Sequence, residues 1–491
     1  MRPIAMKRQY KALLILLPFL VVGGFQLWRA TQPSPALILE EAATRPISSL
    51  PEQKIAKRFR HVKLHPDALQ DVREGGKIIE LELFPGETVR IRLEASEYTS
   101  GNSTEVMGEV VGVPRSLAVF VTVGDALAGT VELPDGRQFL VNYAGKNEHS
   151  VVELDPLAMQ TPHALQEHFA AKPVEIAPDA DAAIMPALQW GVTNRVNGFS
   201  AFTHVLTRTN PWPTQVLQGT VNWGPPIISI MILYTPEAKK QSTGLLGIET
   251  RARLSVAQVN AAFRRSGITA KLVIAHIGPV NYRTSGNLVT DLKALTYGTT
   301  MDLYNVHVMR QQYRADLVSL FVGASPGELF HGTGWMITSF NPAPSYGMTV
   351  MEGVYAPTSV FAHEIGHNLG CQHATNDIGS WVKGAFTNSN GMRFNVTVNG
   401  QNYPMRTIMA YGAGPRLGYY SNPNINVWGS PTGNTNSANN AWTIQQTAPM
   451  VGNYLTQIIQ AKKLTNNARS QQAVPINRAT VRWPTGGFNG N

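Results

Sequence analysis

One stretch constrains this chain more than any other: His363-Glu364-Ile365-Gly366-His367-Asn368-Leu369-Gly370-Cys371-Gln372-His373. On an α-helix, residues four apart differ by about 40° in azimuth, so His363 and His367 present their imidazoles side by side. That spacing suits two ligands of a tetrahedral zinc ion at about 2.0–2.1 Å. Glu364 follows the first ligand and can aim its carboxylate at a water held by the metal, as a general base rather than a ligand. Gly370 can take the left-handed conformation that ends a helix, so that the chain turns and His373 returns as a third ligand. Three protein ligands leave one position open, which is a catalytic rather than a structural arrangement. With the His, Glu and Gly content of this chain, the full pattern is expected by chance at on the order of 10⁻⁵ per chain, so coincidence is set aside.

Whatever surrounds this helix does so without disulfides. Cys371 is the only cysteine in 491 residues, which excludes an intrachain bridge and a Cys-built zinc ribbon. Placed inside the motif, it reads as a small buried side chain, since free Cys is commonly buried and inert. The length argues for two or three domains, and 43% apolar residues supply their cores. Lys and Arg exceed Asp and Glu by 41 − 32 = 9. The excess is spread thinly, and no nucleic-acid partner is expected.

The N-terminus carries Arg2, Lys7, Arg8 and Lys11 with no acid, then an apolar run from Ala12 to Trp28. This is the pattern of an export signal over residues 1–30. The run is just long enough to span a bilayer, so an uncleaved anchor facing outside the cytoplasm is the alternative to a secreted or periplasmic protein.

Between Lys77 and Tyr143 the pattern has period two, which predicts a small antiparallel β domain within residues 31–205. A hairpin centred on Gly86 would pair Glu82 with Arg90 and Glu80 with Arg92. A helix is expected over Pro156 to Ala171, and a linker at 206–226 around Asn210-Pro-Trp-Pro213. From Ile227 strands and helices alternate, predicting a mixed, mostly parallel α/β sheet flanked by helices over residues 227–464. Short strands are expected at Gly334 to Ile337 and Met348 to Met351, and the motif helix at about Thr358 to Leu369. The last helix, Ala438 to Leu464, is expected to kink at Pro449. Residues 465–491 form a tail with little to bury.

Some 36 residues after His373 stands Arg406-Thr-Ile-Met409-Ala-Tyr411. Together with the histidine motif this resembles the metzincin zinc peptidases, whose Met-turn lies beneath a three-histidine zinc site. The resemblance implies that Met409 is that Met. Tyr411 matches the tyrosine that astacins and serralysins place beside the metal, where it stabilises the oxyanion. Ile230-Met-Ile-Leu-Tyr-Thr-Pro236, Asn260-Ala-Ala-Phe-Arg-Arg-Ser-Gly267, Gly334-Trp-Met-Ile337 and Tyr420-Ser-Asn-Pro423 look like bacterial reprolysin-type (adamalysin-like) metallopeptidases. What the resemblance implies is a metzincin catalytic domain with one catalytic Zn²⁺ on His363, His367 and His373, Glu364 and Tyr411 as catalytic groups, and protein or peptide substrates. Calcium is not legible in the sequence. The chain departs from that family in lacking its disulfides and in carrying Ala374 where an Asp follows the third histidine.

The preceding β domain resembles the propeptide of adamalysin-like zymogens. No thiol is available there to cap the metal, and Trp190 stands where the capping Cys would be. The expectation is therefore a secreted zinc metalloendopeptidase made as a zymogen, with its own N-terminal region as inhibitor and Glu175, Asp179 and Asp181 as the nearest acidic candidates for a plug. The competing expectation is a non-catalytic metzincin-like binding module held at the membrane surface by the N-terminal segment. Retention of Glu364 discriminates between them, because ligands alone suffice to hold metal.

Overall fold

Alternating apolar and polar residues fold most readily as antiparallel strands with one wet face, and the N-terminal half of the computed structural model is built that way. The described residues are 36–41, 54–99, 102–156, 158, 225–325, 331–338, 347–377, 382–398 and 401–454. The leader, the helix expected after Pro156, most of the linker and the tail lie outside them. Among the described residues no helix is long and apolar enough to cross a membrane.

Ten strands form one antiparallel sheet: β1 (Ile38–Glu41), β2 (Ala56–Leu64), β3 (Ile78–Phe84), β4 (Glu87–Leu93), β5 (Glu97–Thr99), β6 (Ser103–Val110), β7 (Leu117–Val123), β8 (Ala126–Glu132), β9 (Gln138–Gly145) and β10 (Glu148–Leu154). Their order is β1-β2-β10-β9-β8-β7-β6-β4-β3, with β5 pairing β6. The unit is larger than the sequence suggests, because strands before residue 64 join it. Helix α1 (Pro66–Glu74) covers part of the core made by Val62, Ile79, Leu81, Ile91, Phe120 and Phe139.

The hairpin register differs from the expected one. Glu80 faces Arg90, Ile78 faces Arg92, and Glu82 faces Thr88. The turn is the two-residue Pro85-Gly86, with Gly86 at φ 78°, and an irregularity between Glu82 and Phe84 takes up one further residue. A turn centred on Gly86 alone would have placed every pair two residues further on.

The C-terminal half is α/β. Strands β11 (Ile227–Tyr234), β12 (Lys271–Pro279), β13 (Leu317–Val322), β14 (Gly332–Gly334) and β15 (Met348–Glu352) form a sheet ordered β12-β11-β13-β15-β14. All neighbours are parallel except β14, which pairs antiparallel to β15 at the edge. Helices α2 (Pro236–Gln241), α3 (Leu245–Arg265), α4 (Leu288–Tyr297) and α5 (Met301–Gln312) flank it. The apolar run of β11 is buried on both faces, as parallel strands require: Ile230 and Ile232 enter one core with α3, and Met231 and Leu233 enter the other with α4 and α5.

The motif helix, α6 (Phe361–Asn368), starts three residues later than expected. Residues 356–360 form a wide turn in which Ser359 has φ 70°, a strained value for a residue with a side chain. The edge strand ends at Gly334, and Trp335 to Ile337 continue extended, with the Ile337 N–H donating to the His367 carbonyl. Two hairpins follow, β16 (Arg393–Val398) with β17 (Gln401–Arg406) and β18 (Asn426–Val427) with β19 (Ser430–Pro431), then α7 (Asn440–Val451) with Pro449 inside its last turn.

Helix α3 joins the two halves. Ala252, Val256, Val259 and Phe263 face the α/β core, while Leu254, Ala257 and Ala261 pack on Val119, Val121, Val123 and Ala128 of the antiparallel sheet. Ions close the rim: Arg265 pairs with Glu132 at 2.7 Å, Arg264 reaches both carboxylate oxygens of Glu94, and Lys271 pairs with Glu97 at 2.9 Å.

A candidate three-histidine metal centre

The first two histidines are held by one helix and oriented by carbonyls. The Nδ1–H of His363 donates to the Ile408 carbonyl at 2.9 Å, and that of His367 to the Cys371 carbonyl at 2.8 Å. Both rings therefore turn Nε2, with its lone pair, toward a common point. Gly370, at φ 83°, turns the chain after α6 and returns His373, whose Nε2 lies 3.2 Å from that of His363 and 3.1 Å from that of His367. Tetrahedral arms of 2.0–2.1 Å would set ligand atoms about 3.4 Å apart; His373 stands close to that spacing from each of the other two, and all three ligand atoms lie within 4.8 Å of one another. Among the described residues these three form the one group of His, Cys, Asp or Glu side chains gathered for a metal ion.

All three rings are buried. Desolvation, aided by the neighbouring His367 and Arg416, holds His363 well below the usual histidine range, and burial holds His367 at about 4. Neutral imidazoles are the state that binds metal. Burial pushes the Glu364 carboxyl up to about 8, opposed by the positive charge of Arg416. Its carboxylate reaches the edge strand beside Gly332 and Gly334. A carboxyl with a raised pKa next to a sheet edge suits proton transfer at a peptide laid along that edge.

Below the histidines runs the turn at Thr407 to Ala410. Met409 is fully buried, and a Cβ at Gly366 would sit 2.4 Å from its sulfur, so the helix can rest on the thioether only because residue 366 is glycine. Arg406 ties the turn together, its Nε donating to the Gly414 carbonyl and its Nη1 to the Ala410 carbonyl. The Tyr411 hydroxyl lies 3.0 Å from Nε2 of His363, and its ring packs against His373 with centroids 4.6 Å apart. Burial first, and then the Glu364 charge, push its phenol up, so it stays a proton donor across ordinary pH.

The structure thus brings all five expected residues, His363, Glu364, His367, His373 and Tyr411, to one place. It also shows what sequence reasoning missed. Asp377 supplies the carboxylate absent at Ala374: its Oδ2 accepts from the N–H of Ala374 at 3.2 Å and from that of Tyr411 at 2.9 Å, while Arg393 lies 2.7 Å from Oδ1. One side chain therefore links the His373 loop to the Tyr411 turn. Arg416, half-buried beyond that turn, sets its guanidinium 5.7 Å from the Tyr411 ring centroid. Neither residue had a sequence signal beyond its charge. Cys371 is buried with its thiol pushed well up by desolvation, as a packing residue should be.

A strand at the sheet edge, a helix bearing two histidines, a third returned by glycine and a methionine beneath them define a metallopeptidase. Residues 250–374 match the sequence profile of the M12B reprolysin-like metallopeptidase family, and the chain is a hydrolase of peptide bonds. It is similar to the peptidyl-Asp metalloendopeptidase of Xanthomonas campestris pv. campestris, with 27% identity over 67% of each chain. It is also similar to that of Stenotrophomonas maltophilia strain K279a, with 26% identity over 83% of this chain and 84% of the relative. Among solved structures, metalloproteinase-II from Bacteroides fragilis aligns with 66% of this chain and 89% of its own at 14% identity and a TM-score of 0.34.

Proposed function

We propose that this chain is a zinc metalloendopeptidase that cleaves peptide bonds adjoining aspartyl residues, with His363, His367 and His373 as metal ligands. The observation that carries the reading is the convergence of three buried imidazoles, with Nε2 of His373 3.1–3.2 Å from those of His367 and His363, beside a buried carboxyl. Zinc is the metal this family implies, and the ligand set fits it. When bound there, it supplies a Lewis acid with an open position that polarises a carbonyl and acidifies water.

The rest of the chemistry belongs to this chain's side chains. A substrate strand adds to the free edge of β14, where backbone hydrogen bonds hold it in register. Glu364 takes the proton from the attacking water and delivers it to the leaving amine. Tyr411 donates a hydrogen bond from its hydroxyl to the oxyanion as the carbonyl becomes tetrahedral. The aspartyl preference rests on the relatives' names.

The organisation proposed is an export signal or anchor at 1–30, an N-terminal β-rich region at 31–205, a linker at 206–226, the catalytic domain at 227–464 and a tail at 465–491. The N-terminal region acts as the enzyme's own inhibitor until the linker is cut, and the product is secreted or periplasmic. Supporting latency, Leu154 and Pro156, where the chain leaves β10, border the same crevice as Thr358 and Arg416.

A proteome-derived peptide library, digested by the purified protein with and without a zinc chelator, tests the reading. Cleavage sites clustered at aspartate, all lost on chelation and restored by zinc, are expected. Chelator-resistant cleavage or no cleavage at all sinks it.

A further inference from the structure

Two arginines flank the turn that carries Met409 and Tyr411, and they are treated differently by the fold. Arg406 is buried, and its guanidinium is spent on the Gly414 and Ala410 carbonyls. Arg416 is half-buried, has no carboxylate within salt-bridge distance among the described residues, and its Nε is shut off from solvent without a hydrogen-bond partner. A guanidinium cannot shed its proton at any ordinary pH, so a partly desolvated and unpaired one is costly unless an anion is brought to it.

Its position says which anion. The guanidinium carbon lies 5.7 Å from the ring centroid of Tyr411, and the Tyr411 hydroxyl lies 3.0 Å from Nε2 of His363. Its charge is felt at His363, at Glu364 and at Tyr411. On its other side it borders a crevice between the two halves, with Thr358, Pro415 and Arg406 on one wall and Gln138, Leu154 and Pro156 of the N-terminal half on the other. A carboxylate drawn to this guanidinium would stand beside the Tyr411 ring, and so next to the three histidines.

We propose that Arg416 is the specificity determinant of this enzyme, receiving through its guanidinium the carboxylate of the aspartyl side chain next to the scissile bond. The proposal rests on the metalloendopeptidase reading above and gives its aspartyl preference a residue. While docked, the N-terminal sheet also touches the segment that bears Arg416. The Gln138 amide donates to the Arg416 carbonyl, and the Glu132 carboxylate, itself paired with Arg265, accepts from the Gly418 N–H at 3.0 Å. Both ends of the short segment bearing Arg416 are thus gripped from outside the catalytic half.

The test compares kcat/KM on two fluorogenic peptides that differ only by Asp or Asn beside the scissile bond, with products mapped by mass spectrometry. Wild type is expected to favour Asp by about 100-fold or more, the scale of a desolvated charge-assisted pair. Arg416→Gln should bring the Asp/Asn ratio to within about threefold of one. A retained ratio overturns the proposal, and so does an equal loss on both peptides, which would mark Arg416 as a general electrostatic aid instead. Should Arg416→Gln fail to fold, Arg416→Lys carries the test: losing the planar fork but not the charge should cut the ratio at least threefold, and an unchanged ratio overturns the assignment. Absence of aspartyl preference in wild type overturns the aspartyl reading itself, before any variant is compared.

Discussion

Glu364 and Tyr411 make different demands on the same few ångströms, and their variants should fail differently. Glu364 is buried but is not a ligand in this arrangement, since three imidazoles already converge without it. Glu364→Gln should therefore bind one equivalent of zinc and lose hydrolysis by about a thousandfold or more. Elemental analysis beside a fluorogenic assay checks both halves, and activity above about a tenth of wild type removes Glu364 from the base role. Tyr411 donates only as the oxyanion forms. Tyr411→Phe should lower kcat by about ten- to a thousand-fold with KM little changed, the mark of an interaction made in the transition state. Steady-state kinetics decides, and an unchanged kcat returns Tyr411 to packing.

At the scale of elements, the local parts of the site were legible and the assembled parts were not. The His363–His367 pair, the turn at Gly370 and the return of His373 follow from helical periodicity and one glycine, and the structure has them. The start of α6 was misjudged because Pro357 and Ser359 make a wide turn stabilised by tertiary contacts, which no propensity reports. The β3–β4 register was missed by two residues, one because the turn is Pro85-Gly86 rather than Gly86 alone and one because of an irregularity set by packing of the sheet. Asp377 was invisible for a similar reason: its partners, Ala374, Arg393 and Tyr411, span 38 residues and meet only when the hairpin β16–β17 folds back. Its role is testable as positioning. Asp377→Asn leaves every ligand intact but loosens the His373 loop from the Tyr411 turn, and should weaken zinc binding by about 10–100-fold, the usual cost of losing an outer-shell partner. Competition with a chromophoric chelator measures it, and unaltered affinity would reduce Asp377 to a buried ion-pair partner of Arg393.

For the whole molecule, the issue is how firmly the antiparallel sheet stays on α3. Four apolar residues of β7 and β8 meet Leu254, Ala257 and Ala261, so once the linker at 206–226 is cut the sheet leaves α3 only by giving up that contact. The exposed pairs, such as Arg264 with Glu94, add little to that. One group at this junction does make it pH-dependent. Glu105 on β6 stands across from Glu97 on β5, beside Lys271 and Arg264 of the catalytic half. Desolvation, and then the like charge of Glu97, push its carboxyl from 4.5 up to about 7, against the opposing pull of Lys271 and Arg264. The docked state then binds this proton more tightly than the separated state does. Its contribution is at full strength below about 4.5, and it is lost as pH rises through about 7. Raising pH from 5.5 to 8 should lower the Tm of the sheet-bearing half by about 2 °C more in wild type than in Glu105→Gln, which keeps a neutral side chain throughout. Differential scanning calorimetry of the two proteins across that range is the check. Equal slopes would mean that water reaches Glu105 in the docked state and that the junction is indifferent to pH. A steeper wild-type slope would make release of the sheet after linker cleavage easier in alkaline than in acidic surroundings, with the grip of Gln138 and Glu132 on the Arg416 segment lost at the same time.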